Sequence, residues 1–159
     1  MFMSNSIFVD SSLLVEYIKG SQTEFLDALR NEPDARLFIS QTVVSEYLFY
    51  HLAELGQKSP RTLKENRRIP GILSAVNPVP FLEQFLWLPD EASMLQPTVD
   101  FMSKYNLLPN DALILAACKL HGIKALASFD PDFNAPCQGE GIRLLRTSDD
   151  FEVFKQSLL

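Results

Sequence analysis

Four acidic residues stand at the ends of four apolar segments: Asp10 after SIFV, Glu46 in TVVSEYLFY, Asp111 in LLPNDALILAAC and Asp130 in ALASFDPDF. Carboxylates in such places, rather than on solvated faces, suggest a shared metal site. Two like charges about 4 Å apart at an effective dielectric of roughly 20 repel by about 4 kcal/mol, so four gathered carboxylates require protons or cations to offset them. An all-oxygen donor set without His or Cys favours the hard ions Mg²⁺ or Mn²⁺ over zinc. Such ions best serve phosphoryl transfer, activating water and neutralising charge on the attacked phosphate. Context alone also admits a plainer account, because the chain carries 20 acidic residues among 159 and Asp is a common helix cap. Position in a fold distinguishes the two.

The elements that would position these acids can be read from periodicity. SIFV (6–9), ARLFIS (35–40), FLWLP (85–89), KALASF (124–129) and IRLLR (142–146) have the length and composition of buried strands. Helical patterns lie between them. LLVEYIKG ends at Gly20, and SQTEFLDALRN follows, with Ser21 as its expected N-cap and Glu24 completing a capping-box pattern. A third helix is expected from Gln41 to Leu55, stopped by Gly56, with Val44, Leu48, Leu52 and Leu55 as its apolar stripe. Glu46 lies about 160° from that stripe at 100° per residue, flanked by Phe49 and Tyr50. A carboxylate in so apolar a setting needs a partner.

Prolines 60, 70, 78 and 80 break residues 57–83 into short helical pieces, read as an excursion from one domain spanning 1–159. EASMLQPTVDFMSKYN reads as a helix that Pro97 kinks or starts late. Pro109 opens, and Gly122 closes, a helix whose first turn holds Asp111, where the helix dipole favours a negative carboxylate. SDDFEVFKQSLL closes the chain as a helix with Ser148 as its expected cap. Alternating strands and helices imply an α/β three-layer sandwich, a central, mostly parallel sheet of about five short strands flanked by helices. Working sites in such folds lie at the carboxyl ends of the strands. All four acids fall at that edge.

Composition narrows the alternatives. A hydrophobic content of 47% marks a globular chain. No apolar run approaches the roughly 18 residues of a membrane span, and MFMSNSIFVDSS lacks the basic start of a secretory leader. A soluble, cytoplasmic protein is expected. Cys118 and Cys137 have no metal-ligand spacing, and neither His51 nor His121 has a sequence neighbour that makes a triad. The net charge of −6 opposes nucleic-acid binding only on average: KSPRTLKENRR (58–68) has five basic residues and one acid, net +4, leaving −10 elsewhere. Lys64, Arg67 and Arg68 are the candidate RNA-backbone contacts, with Lys64 and Arg68 expected on one helical face. A solvated face with Glu65 as surface partner is the competing account.

FVDSSLLVEYI, TVVSEYLF, and NDALILAACKLHGI followed by LASFDPDF together resemble the PIN domain, and among its members the VapC-type toxin ribonucleases of toxin–antitoxin pairs. The motifs occur in order, with the acids 36, 65 and 19 residues apart, and the resemblance covers nearly the whole chain. It implies that Asp10, Glu46, Asp111 and Asp130 are catalytic and hold one or two Mg²⁺ or Mn²⁺ ions, with Ser12 and Ser128 supporting the acids. Asp132 is left between two roles, a ligand to a second ion and a cap of the turn before Phe133. Asn110 reads as a helix-start residue. The implied activity is hydrolysis of RNA phosphodiesters by activated water, without a covalent enzyme intermediate. A homodimer and a small antitoxin partner are implied as well. Rival readings are a catalytically idle RNA- or protein-binding domain on the same fold and a housekeeping nuclease. A phosphatase would want a second Asp where Ser12 stands.

Overall fold

The computed structural model describes residues 5–158. Five strands form one sheet in the order β3-β2-β1-β4-β5, every neighbouring pair parallel. They are β1 (Ser6–Val9), β2 (Arg36–Ser40), β3 (Leu86–Leu88), β4 (Ala125–Ala127) and β5 (Arg143–Leu145). Each falls within a run expected from sequence. Central parallel strands are covered on both faces and so read as unbroken apolar runs: Ile7, Phe8, Val9, Leu126 and Ala127 are completely buried.

Among the described residues, ten α-helices connect and follow the strands. They are α1 (Ser11–Ile18), α2 (Thr23–Arg30), α3 (Gln41–Gly56), α4 (Pro60–Glu65), α5 (Ile69–Ala75), α6 (Val79–Leu82), α7 (Leu95–Tyr105), α8 (Pro109–Leu120), α9 (Asn134–Glu140) and α10 (Ser148–Gln156). The chain runs outward from β1 through β2 to β3, then returns past β1 to β4 and β5. Right-handed crossovers therefore set the helices linking β1 to β3 and those linking β3 to β5 on opposite faces, while α10, after β5, packs against α2. The direction of winding reverses between β1 and β4, which makes the carboxyl ends of those two strands the topological switch point. Asp10 directly follows β1, and the turn holding Asp130 follows β4.

Local chemistry differs from expectation at several helix ends. Ser21 does not cap α2; Gln22 takes that place in the left-handed region (φ 48°) without a side-chain bond, and the Ser21 hydroxyl donates to Glu16 across the turn. Thr147, not Ser148, caps α10. Its hydroxyl accepts from the Asp150 N–H at 3.1 Å, while the Asp150 carboxylate accepts from the Thr147 N–H at 3.1 Å. The reciprocal acid three residues on selects Thr147 over its neighbour. Leu159, the last residue of that segment, lies outside the described residues. Pro97 falls in the first turn of α7, consistent with a late start.

The buried stripe of α3 is Val43, Val44, Tyr47 and His51, not the run from Val44 to Leu55. Leu48 and Leu52 are half-buried and Leu55 is exposed. An aliphatic count missed the aromatic pair because the two rings pack together and His51 also finds a polar contact inside: the His51 ring lies 5.6 Å from that of Tyr47, and its Nε2 sits 3.1 Å from the Val76 carbonyl oxygen. The 57–83 segment forms α4 to α6, with Leu63 of α4 wholly buried. Its helix α4 stops at Glu65, and Arg67 turns left-handed (φ 53°) before Arg68 caps α5. Lys64 and Arg68 therefore do not share a helical face. Glu65 pairs with Arg61 at 3.2 Å.

Candidate metal centre

The ladders that join β1 to β4 and β4 to β5 each continue one residue past the strands. The Asp10 N–H donates to the Ala127 carbonyl at 2.9 Å, and the Ser128 N–H donates to that of Leu145 at 3.1 Å. These bonds fix two neighbouring turns against each other. Asp10 then caps α1, and its carboxylate is wrapped by donors. The Ser12 and Ser128 hydroxyls each lie 2.7 Å from Oδ2, and the Ser12 N–H reaches it at 3.4 Å. Only 4% of Asp10 is exposed. Burial raises its pKa above the usual carboxylate value, the serine hydrogen bonds pull it back, and the Glu46 charge raises it further.

Ser12 and Ser128 also stitch the turn after β4 in place. The Phe129 N–H donates to Ser12 Oγ at 3.0 Å, and the Asp130 N–H to Ser128 Oγ at 3.0 Å. Both serines hydrogen-bond to Asp10 and to the turn after β4, joining the ends of two strands.

Glu46 projects from the second turn of α3 and is gripped at both oxygens. Ser11 Oγ donates to Oε2 at 2.9 Å, and Asn110 Nδ2 donates to Oε1 at 2.8 Å. Sequence reasoning passed over Ser11 and read Asn110 as a helix-start residue. Asn110 does open α8, but its side chain reaches across to α3. The only local signals were the polar pair after Asp10 and the adjacency of Asn110 to Asp111.

Asp111 occupies the first turn of α8, half-buried. Burial is the largest influence on it, followed by the charges of Asp130, Asp10, Glu46 and Asp132, and together they push its pKa up to about 7. Asp111, Asp130 and Asp132 each offer an oxygen within 4.8 Å of the others. Asp132 joins this group because its N–H is held by Asp130 Oδ1 at 2.8 Å, folding the turn over the site. Asp10 and Glu46 are outside that closest group, yet Asp10, Glu46, Asp111 and Asp130 all line one cleft of about 500 Å³. The five acids therefore form a tight triplet against a wall of two anchored carboxylates. The donor set is all oxygen, partly preorganised by neutral donors and short of positive charge, which fits Mg²⁺ or Mn²⁺. Arg67 and Arg68 line a separate cavity with Leu55 and Ile72, and neither they nor Lys64 line the acidic cleft.

A family model described as PIN domain matches residues 7–139, a span containing all five acids. The chain belongs to the PIN domain family. Ribonuclease VapC2 of Methanocaldococcus jannaschii is 30% identical over 131 residues, covering 81% of this chain and 87% of that relative. Ribonuclease VapC6 of the same organism is 31% identical over 140 residues, covering 81% and 91%. Among solved structures, Mycobacterium tuberculosis VapC20, titled a sarcin–ricin loop cleaving toxin, superposes with a TM-score of 0.57 at 18% identity, covering 81% of this chain and 93% of that one. A toxin–antitoxin complex from Klebsiella pneumoniae gives 0.56 at 19% identity, covering 88% and 96%. These superpositions bear out the five-stranded parallel PIN fold. No helix among the described residues is long and apolar enough to cross a membrane.

Proposed function

We propose that this PIN domain protein is a Mg²⁺- or Mn²⁺-dependent endoribonuclease, the toxin of a type II toxin–antitoxin pair, acting in the cytoplasm. The observation that carries the reading is the acidic cleft at the switch point of the sheet, with Asp111 held near pKa 7 by burial and by its fellow acids. Burial and repulsion that together disfavour a charge to that extent persist in a fold when a cation relieves them in the working state. The names of the relatives, both ribonucleases, support the substrate class.

In this reading Asp111, Asp130 and Asp132 hold one ion, with Asp10 and Glu46 completing the site or holding a second. When bound, the ion supplies Lewis acidity and positive charge at the scissile phosphate. The chain's own residues set the geometry. Ser12 and Ser128 aim the buried Asp10 and offset part of the cost of burying its charge, because their hydroxyls donate to the charged form. Ser11 and Asn110 fix both oxygens of Glu46, leaving that side chain little freedom to follow the ion. The chain folds as one domain with α4 to α6 as an excursion, forms a homodimer and is restrained by a small antitoxin. Lys64, Arg67 and Arg68 are retained as RNA-backbone contacts more distant from the cleft.

Cleavage of total RNA with Mg²⁺ or Mn²⁺ tests this, comparing wild type with Asp10→Asn and Asp111→Asn. Cleavage by the wild type alone is the expected result. Equal cleavage by the variants, or none by the wild type, overturns the nuclease assignment. Growth arrest on expression, relieved by the same substitutions, is expected of a toxin and not of a housekeeping nuclease.

A further inference from the structure

The acidic cleft has a second wall that the acids do not explain. Tyr50 lies four residues beyond Glu46 on α3, so both side chains leave the same face of the helix, and Tyr50 lines the cleft with its surface 49% exposed. It lies off the buried stripe of Val43, Val44, Tyr47 and His51. Phe49 packs against it edge-on, ring centroids 5.8 Å apart at 83°, which braces the Tyr50 ring while leaving it open to the cleft. Across from α3, the turn between α1 and α2 contributes Lys19 and Gln22. Lys19 is the one cation among the described residues that line this cleft. Its Nζ rests 3.1 Å from Glu16 Oε1, with its side chain 39% exposed.

We infer that Tyr50 and Lys19 form a nucleotide subsite beside the acids, Tyr50 stacking under an unpaired base of single-stranded RNA and Lys19 contacting a phosphate next to it. The inference rests on the nuclease reading for its ligand class. An aromatic face is sequence-tolerant and selects for unstacked bases, so a duplex held in its own stack gains nothing from it. A lone cation on the rim of an anionic cleft offers a strand's backbone its one attractive point there. The chemistry thus fits RNA that is single-stranded at the cleavage point, a loop or an open segment.

The test separates binding from cleavage. Binding of a fluorescently labelled octauridylate is measured with Ca²⁺, another oxygen-liganded cation, in place of Mg²⁺, alongside total-RNA cleavage with Mg²⁺. Tyr50→Ala is expected to weaken binding and raise KM by roughly 5- to 150-fold with kcat little changed, and Tyr50→Phe to retain most of the affinity. Lys19→Ala is expected to lower the slope of log affinity against log salt by about 0.7. Tyr50→Trp, placed in a Trp87→Phe background, is expected to show fluorescence quenched by the oligonucleotide. Wild-type cleavage with unchanged binding and KM in Tyr50→Ala sinks the subsite and leaves the nuclease. Tyr50-dependent binding without any cleavage supports the subsite and sinks the nuclease. Loss of self-association in Tyr50→Ala on sedimentation, with RNA affinity unaltered, assigns the aromatic pair to a second copy of the chain and overturns the inference.

Discussion

Replacing Asp111 by Asn should make the metal-free protein more stable while removing its response to Mg²⁺. The Asp111 pKa rises from 3.8 to about 7 on folding. For a carboxyl raised in this direction, the folded state binds the proton more tightly than the unfolded one. The penalty is therefore absent below the unfolded value, grows through the interval from 3.8 to about 7 and is complete above it. At about 1.4 kcal/mol per pH unit the full shift corresponds to roughly 4 kcal/mol, and solvent screening of a half-buried group reduces this to about 2 kcal/mol. Asn keeps the shape and removes the charge. In a chain of this size that difference raises Tm by roughly 4–8 °C. Thermal unfolding followed by circular dichroism, in EDTA, at about pH 8 and again near pH 4, reads it directly: the gain should be full at the higher pH and nearly vanish at the lower. Added Mg²⁺ at about 100 times its Kd should stabilise the wild type by roughly 2.7 kcal/mol and the variant far less. A variant that melts at or below the wild type in EDTA at the higher pH would refute the claim that burial and neighbouring acids destabilise the charged Asp111.

The same titration governs the metal. Mg²⁺ affinity measured by calorimetry should fall about tenfold per pH unit below about 7, as Asp111 takes up a proton, and level off above that; a flat profile would remove Asp111 from the ligand set. Ser128→Ala takes one of two hydroxyl donors from the buried Asp10 and should weaken Mg²⁺ binding and cleavage by roughly 10- to 100-fold, and wild-type affinity in that variant would show that Asp10 is held without it. Gly56→Ala should destabilise the fold by roughly 1–3 kcal/mol in urea unfolding, because a Cβ there meets Leu63 Cδ2 at 2.7 Å and Ile72 Cδ1 at 2.9 Å, and buried Leu63 has nowhere to go. An unchanged midpoint would mean that α4 and α5 dock loosely on α3.

The strands were legible because each is a short apolar run bounded by turn signals, and a parallel sheet buried on both faces demands such runs. Helix ends were legible where one signal stood alone, as with Pro109 opening α8 and Gly122 beyond its end. They misled where two candidates stood side by side: Thr147 and Ser148 are both good caps, and only the reciprocal bond to Asp150 separates them. The stripe of α3 was misjudged because burial of Tyr47 and His51 depends on a carbonyl from Val76 and a neighbouring ring, which no periodicity records.

By itself the sequence determined that acids stand at strand and helix ends on a parallel α/β order, and that order alone directs them to one edge. Local chain geometry suffices for that, since it needs only the alternation of strands and helices. Which acids gather was decided by the tertiary structure. The bonds that aim them join residues 35, 64 and 118 positions apart, Ser11 to Glu46, Asn110 to Glu46 and Ser128 to Asp10. The wall made by Asp10 and Glu46 follows from those contacts, and the approach of Asp111 to the turn holding Asp130 and Asp132, with its raised proton affinity, follows from long-range packing of the same kind. They depend on burial and on distances between carboxylates, quantities that exist only once β1 and β4 lie side by side with α3 and α8 packed at their ends.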